Sequence, residues 1–310
     1  MSYPCRTIVD FVREIHQIVS DDQYDSPFEE SAEYYFRGES CNYDTYRDDE
    51  PSTKIDCSLD RSDPKKEREV YEEALRRNVA SFEEDKTMVE QLARMQHYQL
   101  PTRFLDLSDN ALQALYFACG GGSFSKNDNS NRDGFVRVFK ISPKKMKSFT
   151  SDIIIGISHL PLVDAERVKP SEEKGLDGLA YEIKQHRPGF YTEDEWPEIG
   201  DYFRKEMQQV WAFKPILNNE RIKVQSGLFL AYGCNDKKEP LHPDFSPANY
   251  MDQTKPSWGI KQIAAVRIAS FAKKGLLEQL RMFGIRAESV YPDLSNVCQE
   301  IDKRFFPSKL

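Results

Sequence analysis

The sequence predicts an α+β fold: one domain with a mostly antiparallel or mixed sheet flanked by helices. Three observations carry this. Helical periodicity dominates the first third, strand-like runs gather later, and no Pro-, Gly- or Ser-rich stretch reads as a linker between domains. The domain is therefore taken as 1–310, with its core at about 30–295 and an N-terminal helix packed on it.

That helix is RTIVDFVREIHQIV (6–19), where Ile8, Phe11, Val12, Ile15 and Val19 recur at helical spacing. EYYFRGES (33–40) follows as a strand, because Tyr34, Tyr35 and Phe36 suit a pleated surface and Gly38 ends the run. The polar stretch 41–64 predicts a long loop. PKKEREVYEEALRRNVASF reads as a helix entered at Pro64, and TMVEQLARMQH (87–97) as another with Met88, Leu92 and Met95 inward. QLPTRFLDL (99–107) reads as a loop leading into SDNALQALYFACG, a central helix capped by Ser108 or Asp109. GGSFSKNDNSNRDG is a connector. FVRVFKI (135–141), DIIIGI (152–157), VWAFKPI (210–216), RIKVQSGLFLAYG (221–233) and KQIAAVRI (261–268) read as strands, and 165–209 as mixed helix and loop. SFAKKGLLEQLRMFG is a helix stopped by Gly284, and a short helix closes the chain after Tyr291.

Composition narrows the function classes. The formal net charge is -8, so a general nucleic-acid binder is disfavoured. The six cysteines are scattered with no CxxC pair, so zinc spacing is lacking and no metal is expected. The N-terminus has no basic start followed by an apolar run, and no uncharged stretch approaches membrane-spanning length. These features predict a cytoplasmic chain without a membrane partner.

Four ordered motifs bear a resemblance. They are Phe36-Arg37-Gly38, QHYQLPTRFLDLSDNALQALYFA (96–118), the set Arg221, Ile222, Gln225, Gly227 and Phe229, and Gly284-Ile285 with Tyr291-Pro292-Asp293-Leu294. Together they resemble the FRG domain family, common in bacteria and mobile genetic elements. The chain departs from that pattern at Gln99, where the family usually has Gly, and at Leu107, where it has Trp. It also carries an acidic insertion after Gly38 in place of a Pro-Ser-aliphatic-x-Arg pattern. The resemblance implies a setting in phage or mobile-element conflict and leaves the activity open.

Arg37-Gly38 on a strand is also similar to the first motif of ADP-ribosyltransferases, where a guanidinium fork contacts NAD and Gly admits the ligand to the backbone. His97 and Tyr98 suit the same site as catalytic residues, a ribose hydroxyl partner and a stacking ring; equally, they suit a helix C-terminus. Thr102, Arg103 and Gln225 join Arg37 and Gly38 as candidate cofactor-binding residues, with NAD as substrate and Gln225 on a late strand. For Asp106 an ion pair with Arg103 is favoured over orienting His97. The carboxylate such chemistry needs is unassigned among Glu182, Glu193, Glu195 and Glu220. The expected partner is a nucleotide or other small molecule, with a protein partner left open. The alternative is a recognition or sensor module whose polar motif residues hold the fold.

Overall fold

Strand pairing between distant segments organises the chain. In the computed structural model, seven strands form one sheet in the order β4-β5-β6-β2-β1-β3-β7. They are β1 (Glu33–Glu39), β2 (Phe104–Ser108), β3 (Gly134–Ile141), β4 (Met146–Lys147), β5 (Val210–Phe213), β6 (Gly227–Tyr232) and β7 (Ile260–Ile268). Every neighbouring pair is antiparallel except β4 with β5, which makes the sheet mixed. Helices α1 (Ile8–Asp25), α2 (Glu67–Arg77), α3 (Met88–His97), α4 (Ala111–Ala118), α5 (Asp152–His159), α6 (Glu220–Gln225), α7 (Lys273–Met282) and α8 (Ala287–Val290) complete an α+β architecture, as the sequence predicts. The structure describes residues 4–25, 31–41, 57, 64–121, 129–163, 183–184, 202–203, 205–225, 227–235, 241, 252, 254–255 and 257–292.

Alternation along the strands sorts the core. On one face, Phe104, Phe229 and Ala231 meet α3 and α5 through Leu92, Met95, Ile154 and Ile157. Farther along the same face, Phe36, Val136 and Val138 meet α1, α4 and α7 through Phe11, Leu115, Leu276 and Leu280. The opposite face gathers Tyr35, Leu105, Leu107, Phe139 and Leu230. Two helical packs thus share one side of the sheet. In register, Phe36 lies opposite Ser108, so Ser108 and Asp106, two residues before it, sit on the face shared by both packs, at their seam.

Several expectations need correction. QLPTRFLDL is not a loop throughout, because Phe104–Ser108 is a central strand paired over its whole length with β6. Its five residues are too few, and Asp106 too polar, for the alternation to announce it. DIIIGI is a helix, α5, in which Ser151 accepts a bond from the Ile154 amide at 3.4 Å. Its isoleucines are buried on all sides, so an apolar run without period fits a core helix as well as a strand. Residues 221–233 divide into α6 and β6 rather than one strand. The cap of α4 is Asn110, whose Oδ1 accepts from the Leu112 and Gln113 amides, while Ser108 Oγ accepts from the Asn110 amide. Most of the expected 41–64 loop, part of the 121–134 connector, most of 165–209 and the closing helix after Pro292 lie outside the described residues. No helix among the described residues is long and apolar enough to cross a membrane.

Candidate functional site

Asp106 is the centre of the polar seam. Beyond Phe36↔Ser108 the β1–β2 ladder does not continue, and the Arg37 side chain fills the place of a backbone partner. Arg37 NH1 donates to the Asp106 carbonyl at 2.9 Å and to its carboxylate Oδ1 at 3.0 Å. Gln96 Nε2, from the last turn of α3, donates to the same Oδ1 at 3.1 Å. The Thr102 hydroxyl donates to Gln96 Oε1 at 2.9 Å, which turns the Gln96 amide so that its NH2 faces Asp106.

The charges continue sideways through the sheet. Arg37 Nε lies 3.5 Å from Glu39 Oε1, and Arg137 Nε donates to Glu39 Oε2 at 2.8 Å. Arg137 is the direct cross-strand neighbour of Arg37, and its NH1 reaches Gln262 on β7 at 3.2 Å. Two like charges opposite each other would repel, and the buried Glu39 carboxylate between them removes that cost. Asp106, Arg37, Glu39 and Arg137 form a ladder of alternating sign across β2, β1 and β3.

Burial by itself pushes the Asp106 carboxyl up, but Arg37, His97 and the Gln96 bond outweigh it and hold the group at about 2. It is therefore ionised at neutral pH. Its side chain is 36% exposed, while that of Arg37 is 14%. Burial lowers Arg37, and the facing carboxylates Asp106 and Glu39 more than restore it, so it stays charged.

His97 stands next to Gln96, half-buried at the end of α3. Its Nδ1 meets Gln225 Oε1 at 2.8 Å, its carbonyl accepts from Arg221 NH1 at 2.9 Å, and its ring packs edge-on against Phe229 with centroids 5.2 Å apart. Burial lowers its basicity; Asp106 and the Gln225 bond oppose that, and Arg221 adds to it. The outcome is a neutral imidazole. Tyr98 is exposed and lies against the Arg221 guanidinium, 4.3 Å from its ring centroid, with Tyr291 on the same guanidinium at 4.9 Å.

The structure thus brings Arg37, His97, Tyr98 and Gln225 into one neighbourhood. It leaves other expectations elsewhere. Arg103 does not pair with Asp106. It is buried, donates from Nε to Glu67 Oε1 at 2.7 Å and from NH2 to Glu67 Oε2, and reaches the Tyr232 carbonyl at 3.3 Å, which ties α2 to the sheet. Thr102 is buried, and acts on the seam through Gln96. Gly38 has no open space before it. A Cβ there would come within 1.8 Å of the Ala114 carbonyl, so it is α4, not a ligand, that approaches this backbone. Gln225 ends helix α6 rather than lying on a strand. Of the carboxylates considered, Glu220 pairs with Lys223 at 2.6 Å on the surface, and Glu182, Glu193 and Glu195 lie outside the described residues.

Sequence reasoning missed Asp106 as the central carboxylate, Gln96 as its donor, and Arg221 as the partner of the His97 carbonyl and the Tyr98 ring. Gln96 could have been found from its place beside His97 in the polar run, and Arg221 from its place in the same motif as Gln225. Among the described residues, no group of three His, Cys, Asp or Glu is placed to hold a metal.

No curated protein and no solved structure matches the chain. The family model of the FRG domain does match, over residues 32–127, a span that starts just before β1 and runs past α4. Arg37, Gln96, His97 and Asp106 all fall inside it, and the chain carries an FRG domain there.

Proposed function

We propose that this seam binds a nucleotide, NAD foremost, and acts on its N-glycosidic bond, by ADP-ribosyl transfer or by hydrolysis. The observation that carries the reading is Asp106: an ionised carboxylate on a central strand, held by Arg37 and Gln96, with part of its side chain open to solvent. Cleavage sends the C1′–N electron pair to nicotinamide and leaves positive charge on the ribose. A fixed carboxylate stabilises that charge as it develops. Water or an acceptor hydroxyl then bonds to C1′ and loses a proton, for which a neutral imidazole beside the carboxylate is a suitable base. A setting in phage or mobile-element conflict belongs to the same proposal and rests on the family resemblance alone.

A recognition or sensor module is the second reading. It is favoured by Arg37, which engages Asp106 and Glu39 and so has less of its fork left for a phosphate. Isotope-labelled NAD separates the two readings. The first expects binding and slow release of nicotinamide by the wild-type chain. It also expects Asp106→Asn to bind while losing at least about tenfold in turnover, as loss of a charge-stabilising group does. If NAD neither binds nor turns over, the enzymatic reading is wrong.

A further inference from the structure

The amide of Gln225 is fixed by what it touches on its other side. Its Nε2 faces the Val290 carbonyl at 3.2 Å. A carbonyl only accepts, so the Gln225 group pointing there is the NH2, and the group pointing at His97 is Oε1. Oε1 also only accepts. The nitrogen of His97 that meets it at 2.8 Å must therefore carry the hydrogen. In the neutral ring the remaining nitrogen, Nε2, then has a bare lone pair. Neither His97 Nε2 nor Asp106 Oδ2 has a hydrogen-bond partner among the described residues.

We infer that Gln225 is a positioning residue that holds His97 as the Nδ1–H tautomer, so that the seam presents two acceptors and takes a group that donates hydrogen bonds. Hydroxyl, amide and ammonium groups fit that description, and a phosphate does not. Gln225 is itself held twice, by Val290 through its side chain and by the Ser108 hydroxyl, which donates to its carbonyl at 3.4 Å. The tautomer is thus set by α6 and α8, both outside the FRG match. Its ligand class rests on the reading of the seam as a ligand site; the tautomer does not.

Long-range proton–nitrogen correlation spectra of the histidine-labelled chain test it without any substrate. The His97 signals are assigned by their loss in His97→Ala. The wild-type chain at neutral pH is expected to show a protonated Nδ1 and an unprotonated Nε2. Gln225→Leu should lose that state in favour of Nε2–H, whereas Gln225→Glu, which still offers an acceptor to Nδ1, should keep it. An Nε2–H signal in the wild-type chain overturns the inference, even if Gln225→Leu does not fold. So does an unchanged spectrum in a folded Gln225→Leu. Adding inorganic phosphate should leave the Nε2 signal in place, and a shift there overturns the donor class. NAD in a parallel titration judges the enzymatic reading separately, since the tautomer stands or falls before NAD is added.

Discussion

Gln99 is the one described residue other than glycine with a positive φ, 64°. It follows the end of α3, where the Leu100 amide bonds the Met95 carbonyl at 3.0 Å and the Gln99 amide bonds that of Gln96 at 2.9 Å. The same pair of bonds ends α4 around Gly120 and α7 around Gly284, both at positive φ. A left-handed residue with a Cβ is strained where glycine is not, so Gln99→Gly should raise stability by about 0.5–1 kcal/mol in urea unfolding. The Gly that the family resemblance puts at this position is explained by the turn alone. Arg37 carries a second prediction. Its removal leaves the Asp106 carboxylate without its cationic partner and Glu39 with Arg137 alone, so Arg37→Ala should cost about 3 kcal/mol, and an unchanged unfolding midpoint would show the charge ladder to be idle. Asp106 gives a pH effect. Its folded value lies below the ordinary 3.8, so its contribution is present above that pH and is lost as the pH falls toward about 2. With solvent screening of its exposed side this is about 1 kcal/mol, visible as a steeper acid loss of Tm in the wild-type chain than in Asp106→Asn.

At the scale of elements, legibility followed period and length. Residues 33–39 and 260–268 lie where β-rich runs placed them, and α1, α3, α4 and α7 where helical spacing did. Helix α6 was read as the start of a strand, and two further elements escaped for opposite reasons. Helix α5 is apolar on every side, so its sequence holds no period to read. Strand β2 hides because its pairing with β6 lies about 120 residues away and its middle residue is the site's carboxylate. The site was half legible: the 96–106 run supplied its residues, while their partnerships, Arg37 with Asp106 and Arg103 with Glu67, are products of sheet order that a single sequence does not display. The contact of β1 with α4 makes its own prediction. Gly38→Ala would drive a Cβ into the Ala114 carbonyl, forcing the helix off the sheet. A loss of about 3 kcal/mol is expected, with a parallel loss of the Arg37–Asp106 geometry. Wild-type stability in that variant would mean that the two elements do not pack as described.

For the whole molecule, the FRG match and the fold have different extents. Strand β1 takes its full-length partner from β3, and β2 from β6, both beyond residue 127. A fragment of residues 32–127 should therefore show no cooperative thermal transition, while the full chain does; a sharp melt of the fragment would contradict the pairing. The sheet order also sets a clock during synthesis. Strand β2 leaves the ribosome with its whole 96–106 segment, yet β6 begins 119 residues after β2 ends. At bacterial or eukaryotic elongation speeds that is a wait of about 6–24 s. Throughout it, one side of β2 has no strand to pair with and Gln225 does not yet exist to turn His97. Chaperone capture in that interval should concentrate on the β2 edge, and the seam comes into being only when the last third of the chain arrives.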